Sequence, residues 1–178
     1  MATRRGGAGY TVAMNTFDQQ ALRGVMGQFC TGVVIATGAP EGVPAGFAAQ
    51  SFVSLSLDPP LVALCPGKTS TSWPKLREAG AFCINVLAAE QGDVCAAFAR
   101  PGGGAGEDKF AGVDWRPGQT GAPVLGGTLA YIECTLEQEI EAGDHYVAIG
   151  RVQAIEQVSD AGPLLFFRGG YGEFSAAG

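Results

Sequence analysis

Apolar residues along this chain recur with two different periods, and the period changes mark the elements. Phe17, Ala21, Leu22, Val25 and Phe29 share one face at helical spacing, which predicts a helix from an N-cap at Asn15 or Thr16 to about Cys30. Thr31 to Thr37 is β-branched and apolar, hence a strand, and Ala39-Pro40-Glu41-Gly42 turns it into a hairpin. The return strand is expected to run from Ala45 through Leu57. Near its end Val53, Leu55 and Leu57 alternate with Phe52, Ser54 and Ser56, giving one aliphatic and one hydroxyl-bearing face. Asp58-Pro59-Pro60 breaks it. Leu61 to Cys65 is a short buried strand, and a helix is predicted from Ser70 or Thr71 to Ala79, closed by Gly80. Ala81 to Leu87 follows as a strand and Ala89 to Ala99 as a helix, then a glycine-rich loop over Pro101 to Gly106. The last third is β: Thr128 to Ile140, His145 to Val158 and Leu164 to Arg168, with Glu141-Ala142-Gly143-Asp144 as a hairpin turn. About seven hairpin-linked strands with a few short helices predict a mainly β, antiparallel barrel and not a doubly wound sheet. Residues 1–14 carry no such pattern and are expected to be disordered, with 15–178 forming a single domain.

Composition narrows the partners. Eleven Lys and Arg stand against seventeen Asp and Glu, a net charge of -6, with no basic stripe of the kind that displaces counterions, so nucleic acid is not expected as a partner. The apolar bursts fall far short of the roughly 20 residues that span a bilayer, and Arg4-Arg5 is followed by no apolar stretch of an export signal, so no membrane is expected. Cys30, Cys65, Cys83, Cys95 and Cys134 are odd in number and scattered, which argues against a disulfide framework and a structural zinc site and for a reducing, cytoplasmic setting.

Several familiar chemistries are missing. Gly102, Gly104 and Glu107 fail the third glycine of a dinucleotide fingerprint, Val62 stands where a P-loop needs its first glycine, and one histidine cannot support multi-histidine metal ligation. Three segments remain. Pro66-Gly67-Lys68-Thr69-Ser70 runs from a strand into a helix, so amides, a flexible cation and hydroxyls there make an anion site, or else Ser70 caps the helix and Lys68 is solvated. His145 follows Gly143-Asp144 at the start of a strand, where it is either a solvated turn residue or a donor to an anion at a barrel mouth. Ala48 to Ser56 combines small alanines with Gln50 and three serines. It is an ordinary half-exposed strand, or it receives a planar heterocycle whose phosphate reaches Lys68 and Ser70.

Taken in order, Gly46-Phe47-Ala48-Ala49-Gln50-Ser51-Phe52-Val53-Ser54-Leu55-Ser56-Leu57-Asp58-Pro59-Pro60-Leu61-Val62, Phe82 to Leu87, Asp108-Lys109-Phe110, Gly143-Asp144-His145 and Pro163 to Tyr171 resemble the short-chain flavin reductases that supply reduced flavin to two-component monooxygenases. The resemblance extends from about Phe17 to Tyr171 and implies a split β-barrel homodimer that transfers a hydride from NADH or NADPH to FMN or FAD. It implies that Ala49, Gln50, Ser51, Ser54 and Ser56 line the isoalloxazine and ribityl chain, and that Lys68 and Ser70 reach the phosphate. Phe98, Ala99 and Arg100 with Lys109 would flank the outer part of the flavin. Gly143, Asp144 and His145, with Arg168, Gly169, Gly170 and Tyr171, would meet the nicotinamide dinucleotide, His145 as the catalytic position. Relatives often carry asparagine where this chain has Gln50. The other reading on the same fold is an electron-carrier barrel with tightly bound FMN.

Overall fold

A computed structural model describes residues 18–100 and 107–176. The expectations for residues 1–14, for an N-cap at Asn15 or Thr16 and for the loop at 101–106 lie outside the described residues. Helix α1 (Gln19–Met26) begins where the Asp18 carboxylate accepts the Ala21 amide at 3.0 Å. Strands β1 (Thr31–Gly32) and β2 (Val34–Gly38) follow, then β3 (Ala45–Ala49), β4 (Val53–Leu57) and β5 (Pro60–Leu64). Helix α2 (Trp73–Ala79) ends on Gly80, whose φ of +67° is the left-handed stop that glycine adopts freely. Then come β6 (Ala81–Val86), α3 (Gly92–Ala99), α4 (Glu107–Phe110), β7 (Trp115–Pro117) and β8 (Pro123–Leu125). The long hairpin β9 (Ala130–Ala142) and β10 (His145–Gln157) precedes β11 (Leu165–Phe167) and β12 (Gly170–Gly172).

Seven strands form one antiparallel sheet in the order β3-β2-β6-β9-β10-β5-β4. Its two edge strands, β3 and β4, are consecutive in the chain. Gln50-Ser51-Phe52 joins them, and the steps from Ala49 to Val53 reach at most about 14 Å, so the sheet must curl until its edges nearly meet. The mainly β, antiparallel split barrel is therefore the observed architecture. Val34, Ala36, Ala45, Val62, Leu64, Phe82, Ile84, Cys134 and Ala148 fill its interior, with Trp73 and Leu76 of α2 in the same cluster. Outside, Cys95 and Phe98 of α3 pack with Val33, Ile35, Leu87, Phe110, Leu125 and Leu164, which fixes α3 across β2 and β3. Among the described residues no helix is long and apolar enough to cross a membrane.

Buried polar groups hold the β7–β8 hairpin against this frame. Asn85 donates to the Ile35 carbonyl and Thr37 hydroxyl and accepts the Leu125 amide at 2.8 Å. Glu133, fully buried, accepts the amides of Gln119 and Thr120 and the Thr120 hydroxyl. Burial alone would push its carboxyl up, but these donors outweigh it and hold the group below the usual carboxylate range.

The expected strand from Ala45 to Leu57 is two strands. β3 runs along β2 and β4 along β5, so the chain must leave one ladder before joining the other. Ser51 compensates part of the lost pairing by accepting the Cys65 amide at 2.8 Å. The aliphatic face of the second half is not buried: Val53, Leu55 and Leu57 are 49%, 47% and 89% exposed on the sheet edge. The helix expected from residue 15 or 16 to 30 is described as the shorter α1, and the turn at 141–144 tightens to Gly143-Asp144, with Ala142 paired to His145. The β7–β8 hairpin and β12 were not anticipated, being three-residue strands without an alternation long enough to read.

Gly150 on β10 marks where the barrel interior is tightest, since an added Cβ would sit 2.5 Å from Cζ of Phe82 and 2.9 Å from Cβ of Cys134. Gly150→Ala is expected to cost about 1–3 kcal/mol through overpacking. Gly32→Ala, whose added methyl meets nothing within 4 Å, should stay within about 0.5 kcal/mol. Urea unfolding of the two variants checks the difference, and equal losses would contradict the packing.

Candidate functional site

The split between β3 and β4 opens a groove. Its larger part, about 480 Å³, has β3 as its floor, with Phe47, Ala48 and Ala49, and continues through Gln50 and Ser51. Cys65-Pro66-Gly67 after β5 forms one wall and Cys95 and Ala99 of α3 the other, while Val33, Phe166 and Tyr171 stand at one end and His145 at the rim. Alanine, serine and glycine on facing surfaces leave a slot free of bulky side chains. Phe47, Phe166 and Tyr171 supply the aromatic surface, the last two edge to face at 5.7 Å. The neighbouring Cys95 thiol, together with burial, pushes the Tyr171 pKa up to about 12.

A smaller cavity of about 270 Å³ adjoins it, sharing Phe47, Ala48, Gly67 and Ala99, and is otherwise lined by polar groups: Thr69 to Ser72, Arg100 and Lys109, with Phe98. The Ser70 hydroxyl accepts the Trp73 amide at 3.1 Å, and the Ser72 hydroxyl donates to the Gly46 carbonyl at 2.7 Å. Lys109 is only 7% exposed. Its ammonium donates to the carbonyls of Gly46 and Phe98, both at 3.2 Å, and among the described residues it has no ion-pair partner. Burial, and next the charge of Lys75, hold its pKa below the ordinary lysine value. A dry cation held only by carbonyl dipoles, with the free hydrogen of the Ser70 hydroxyl on the same cavity, has the chemistry to receive an anion.

His145 pairs with Ala142 across the Gly143-Asp144 turn, where Gly143 takes a φ of +63°. It also bridges to Gly67, so β10 and the loop after β5 meet at the rim. The Asp144 carboxylate lies 2.7 Å from Nδ1 of the imidazole, which holds that carboxyl below its usual range and leaves Nε2 as the nitrogen nearest Gly67. An added Cβ on Gly67 would lie 3.7 Å from Nε2.

Of the residues named from sequence, Ala49, Gln50, Ser51, Ala99, His145 and Tyr171 line the larger cavity and Ser70, Phe98, Ala99, Arg100 and Lys109 the smaller. The rest stand elsewhere. Ser54 and Ser56 are on β4, paired with Val62 and Leu61 of β5 and outside both cavities. Gly143 and Asp144 form the turn and reach the groove through His145. The Lys68 side chain turns away to Glu141, 2.9 Å distant. Arg168 donates twice to Gln28 and, with Gly169, adjoins α1, while Gly170 pairs with Phe167 in the β1-β11-β12 sheet. Pro66, Gly67 and Thr69 of the anion-site segment also line the cavities, whereas sequence reasoning passed over Val33, Phe47, Cys65, Thr71, Ser72, Cys95 and Phe166 as site residues. A usable signal existed for Phe47, two residues before Ala49 on one strand.

Comparison with known proteins agrees with this geometry. The profile of the family described as "Flavin reductase like domain" matches residues 26–175. The reductase subunit HsaB of a flavin-dependent monooxygenase from Rhodococcus jostii is 51% identical over 160 residues, covering 90% of this chain and 80% of the relative. Among solved structures, nitrilotriacetate monooxygenase component B from Mycobacterium thermoresistibile superposes with a TM-score of 0.82 at 48% identity, covering 88% of this chain and 87% of that one. The NADH:FAD oxidoreductase SgcE6 of Streptomyces globisporus gives 0.85 at 35% identity, covering 90% and 95%.

Lys109 generates a test. A lysine whose folded pKa is lowered opposes folding while it is charged, and that penalty is relieved as pH rises through the folded pKa toward the ordinary 10.5. Lys109→Met removes the charge but takes a donor from the Phe98 carbonyl and leaves the Gly46 carbonyl to the Ser72 hydroxyl, an expected loss of about 1–3 kcal/mol at neutral pH. Urea unfolding at rising pH should find the native protein gaining on this variant. A gap that stays constant or narrows contradicts the buried charge.

Proposed function

This chain belongs to the flavin reductase like family, and from that premise we propose that it is an NAD(P)H:flavin oxidoreductase that passes reduced FMN or FAD to a separate flavin-dependent monooxygenase. The observation that carries the reading is the join of two unlike cavities: a slot walled by small and aromatic residues, and next to it a polar cavity with a buried ammonium. Their volumes fall near the roughly 300–1,000 Å³ of small-molecule sites. A flavin nucleotide has this division, a flat apolar ring system tied to a phosphate. The fit is to the chemistry of both halves.

Hydride transfer from the nicotinamide C4 to the flavin N5 is supplied by the two bound molecules. The chain's task is to align them, because such reactions need near-contact and orientation more than an acid or a base. Ala48, Ala49 and Ala99 leave the slot thin. Lys109 and the hydroxyls of Ser70 and Thr71 hold the phosphate end, with Lys68 joining from the rim. Tyr171 closes one end of the slot, and His145, its Nδ1 held by Asp144, presents Nε2 at the mouth where the dinucleotide enters. The groove is open along its length, in keeping with a flavin that arrives and departs with an affinity of about 8 kcal/mol, near micromolar.

We further read the protein as a homodimer and as cytoplasmic. The apolar residues of β4 and the exposed Leu22, Val25, Met26 and Phe29 around α1 give a second copy a surface to cover. Five free cysteines support a reducing compartment.

The loss of nicotinamide absorbance from purified protein mixed with NADH or NADPH and FMN or FAD tests the activity. His145→Ala should raise the KM for the dinucleotide about tenfold, a change of about 1.4 kcal/mol, while equilibrium dialysis finds the flavin Kd unchanged within about twofold. A collapse of flavin affinity with an unmoved dinucleotide KM would overturn the role of His145, and no turnover with any flavin would overturn the function.

A further inference from the structure

Lys68 sits between two residues that line the groove, Gly67 and Thr69, yet its own side chain lines neither cavity. The backbone is not the cause. The Lys68 amide donates to the Asp144 carbonyl at 2.9 Å, and the adjoining Gly67–His145 bridge fixes this loop against the tip of the β9–β10 hairpin at the groove's rim. What carries the side chain off is Glu141, whose Oε2 lies 2.9 Å from Nζ, while the ammonium rests 5.5 Å from the centroid of the Tyr146 ring. Glu141 and Tyr146 face each other across the hairpin, so one register position supplies both the carboxylate and the ring.

The neighbouring cation cannot replace it. Arg77 stands over the same ring at 5.8 Å but is committed to Glu139, 2.9 Å from its guanidinium, and that carboxylate also accepts the Trp73 indole N–H. Lys68 is one-third exposed and Glu141 three-quarters exposed, so their pair is a solvent-side contact of the kind that exchanges readily. The bond to Glu141 holds the lysine above its ordinary pKa, and the same contact holds Glu141 below the usual carboxylate range, so both groups are charged at neutral pH.

We propose that Glu141 is an affinity-setting competitor for Lys68: it draws the lysine off the groove, and the phosphate of an incoming flavin nucleotide has to displace it. The inference rests on the reading that Lys68 serves the flavin phosphate. A ligand that binds only the conformer with Lys68 released has its apparent affinity reduced by the fraction of that conformer. An exposed ion pair makes this a factor of about two to five. The competition weakens flavin nucleotides without weakening riboflavin, which has no phosphate to compete.

The test is fluorescence titration of FMN and of riboflavin against the full chain, Glu141→Gln, Lys68→Met and the double variant, with the NADH KM measured alongside. Glu141→Gln should tighten FMN about two- to fivefold and leave riboflavin unchanged. Lys68→Met should weaken FMN alone, and in that background Glu141→Gln should lose its effect. If Lys68→Met weakens FMN but Glu141→Gln does not tighten it, the competitor role is overturned and the phosphate reading stands. If Glu141→Gln tightens FMN equally with or without Lys68, or tightens riboflavin as much, its action is a general field effect and the proposal fails. A change confined to the NADH KM overturns it too, by moving Lys68 to the other substrate. If Lys68→Met alters neither flavin, the phosphate reading itself falls.

Discussion

Gln50, Ser51 and Phe52 must carry the chain from one edge of a seven-stranded sheet to the other, and the rest of the molecule answers to that requirement. A linker this short forces the sheet to close on itself, and because β3 and β4 do not pair, it leaves a slit where a closed barrel would have a ladder. Ser51 draws the end of β5 toward the slit by accepting the Cys65 amide. That places Pro66 and Gly67 opposite Ala48 and Ala49, and α3, packed on the outer face of β2 and β3, supplies the remaining wall. The groove is thus a consequence of how the barrel fails to close.

Polar groups decide what such a groove can bind. Two buried ones, Asn85 and Glu133, are spent on structure, holding the β7–β8 hairpin through five backbone and hydroxyl contacts. Lys109 differs: it ties Gly46 to the last turn of α3 while keeping its charge beside Ser70 and Ser72. Gly46 has no room for a side chain there, since an added Cβ would lie 2.7 Å from the Phe98 ring. The close approach that lets Lys109 reach both carbonyls depends on that glycine.

What could be read in advance follows from how local each signal is. The barrel class, the β9–β10 hairpin and the glycine stop after α2 are written in neighbouring residues, and so are His145 at a strand start and Lys68 and Ser70 beside a strand end. The break at 50–52 was not legible, because Gln50-Ser51-Phe52 holds no Gly or Pro to mark a turn and no pattern within a strand names its partner. Lys68 was placed at the groove by sequence and turned from it by a residue 73 positions away. Arg168 likewise meets Gln28 at a separation of 140. Side-chain commitments across such distances are set by packing, which the local sequence does not encode.

Hydrogen exchange with and without FMN tests whether flavin binds in the slit beside the 50–52 linker. Bound FMN should slow exchange at amides of residues 47–51 and 67–72, the two strips of backbone that face each other across the groove. The competing location is the cleft of about 430 Å³ lined by Trp115, Arg116 and Tyr131 on the other hairpin. Protection confined to residues 114–116 and 124–127, with the slit exchanging as before, would contradict the account.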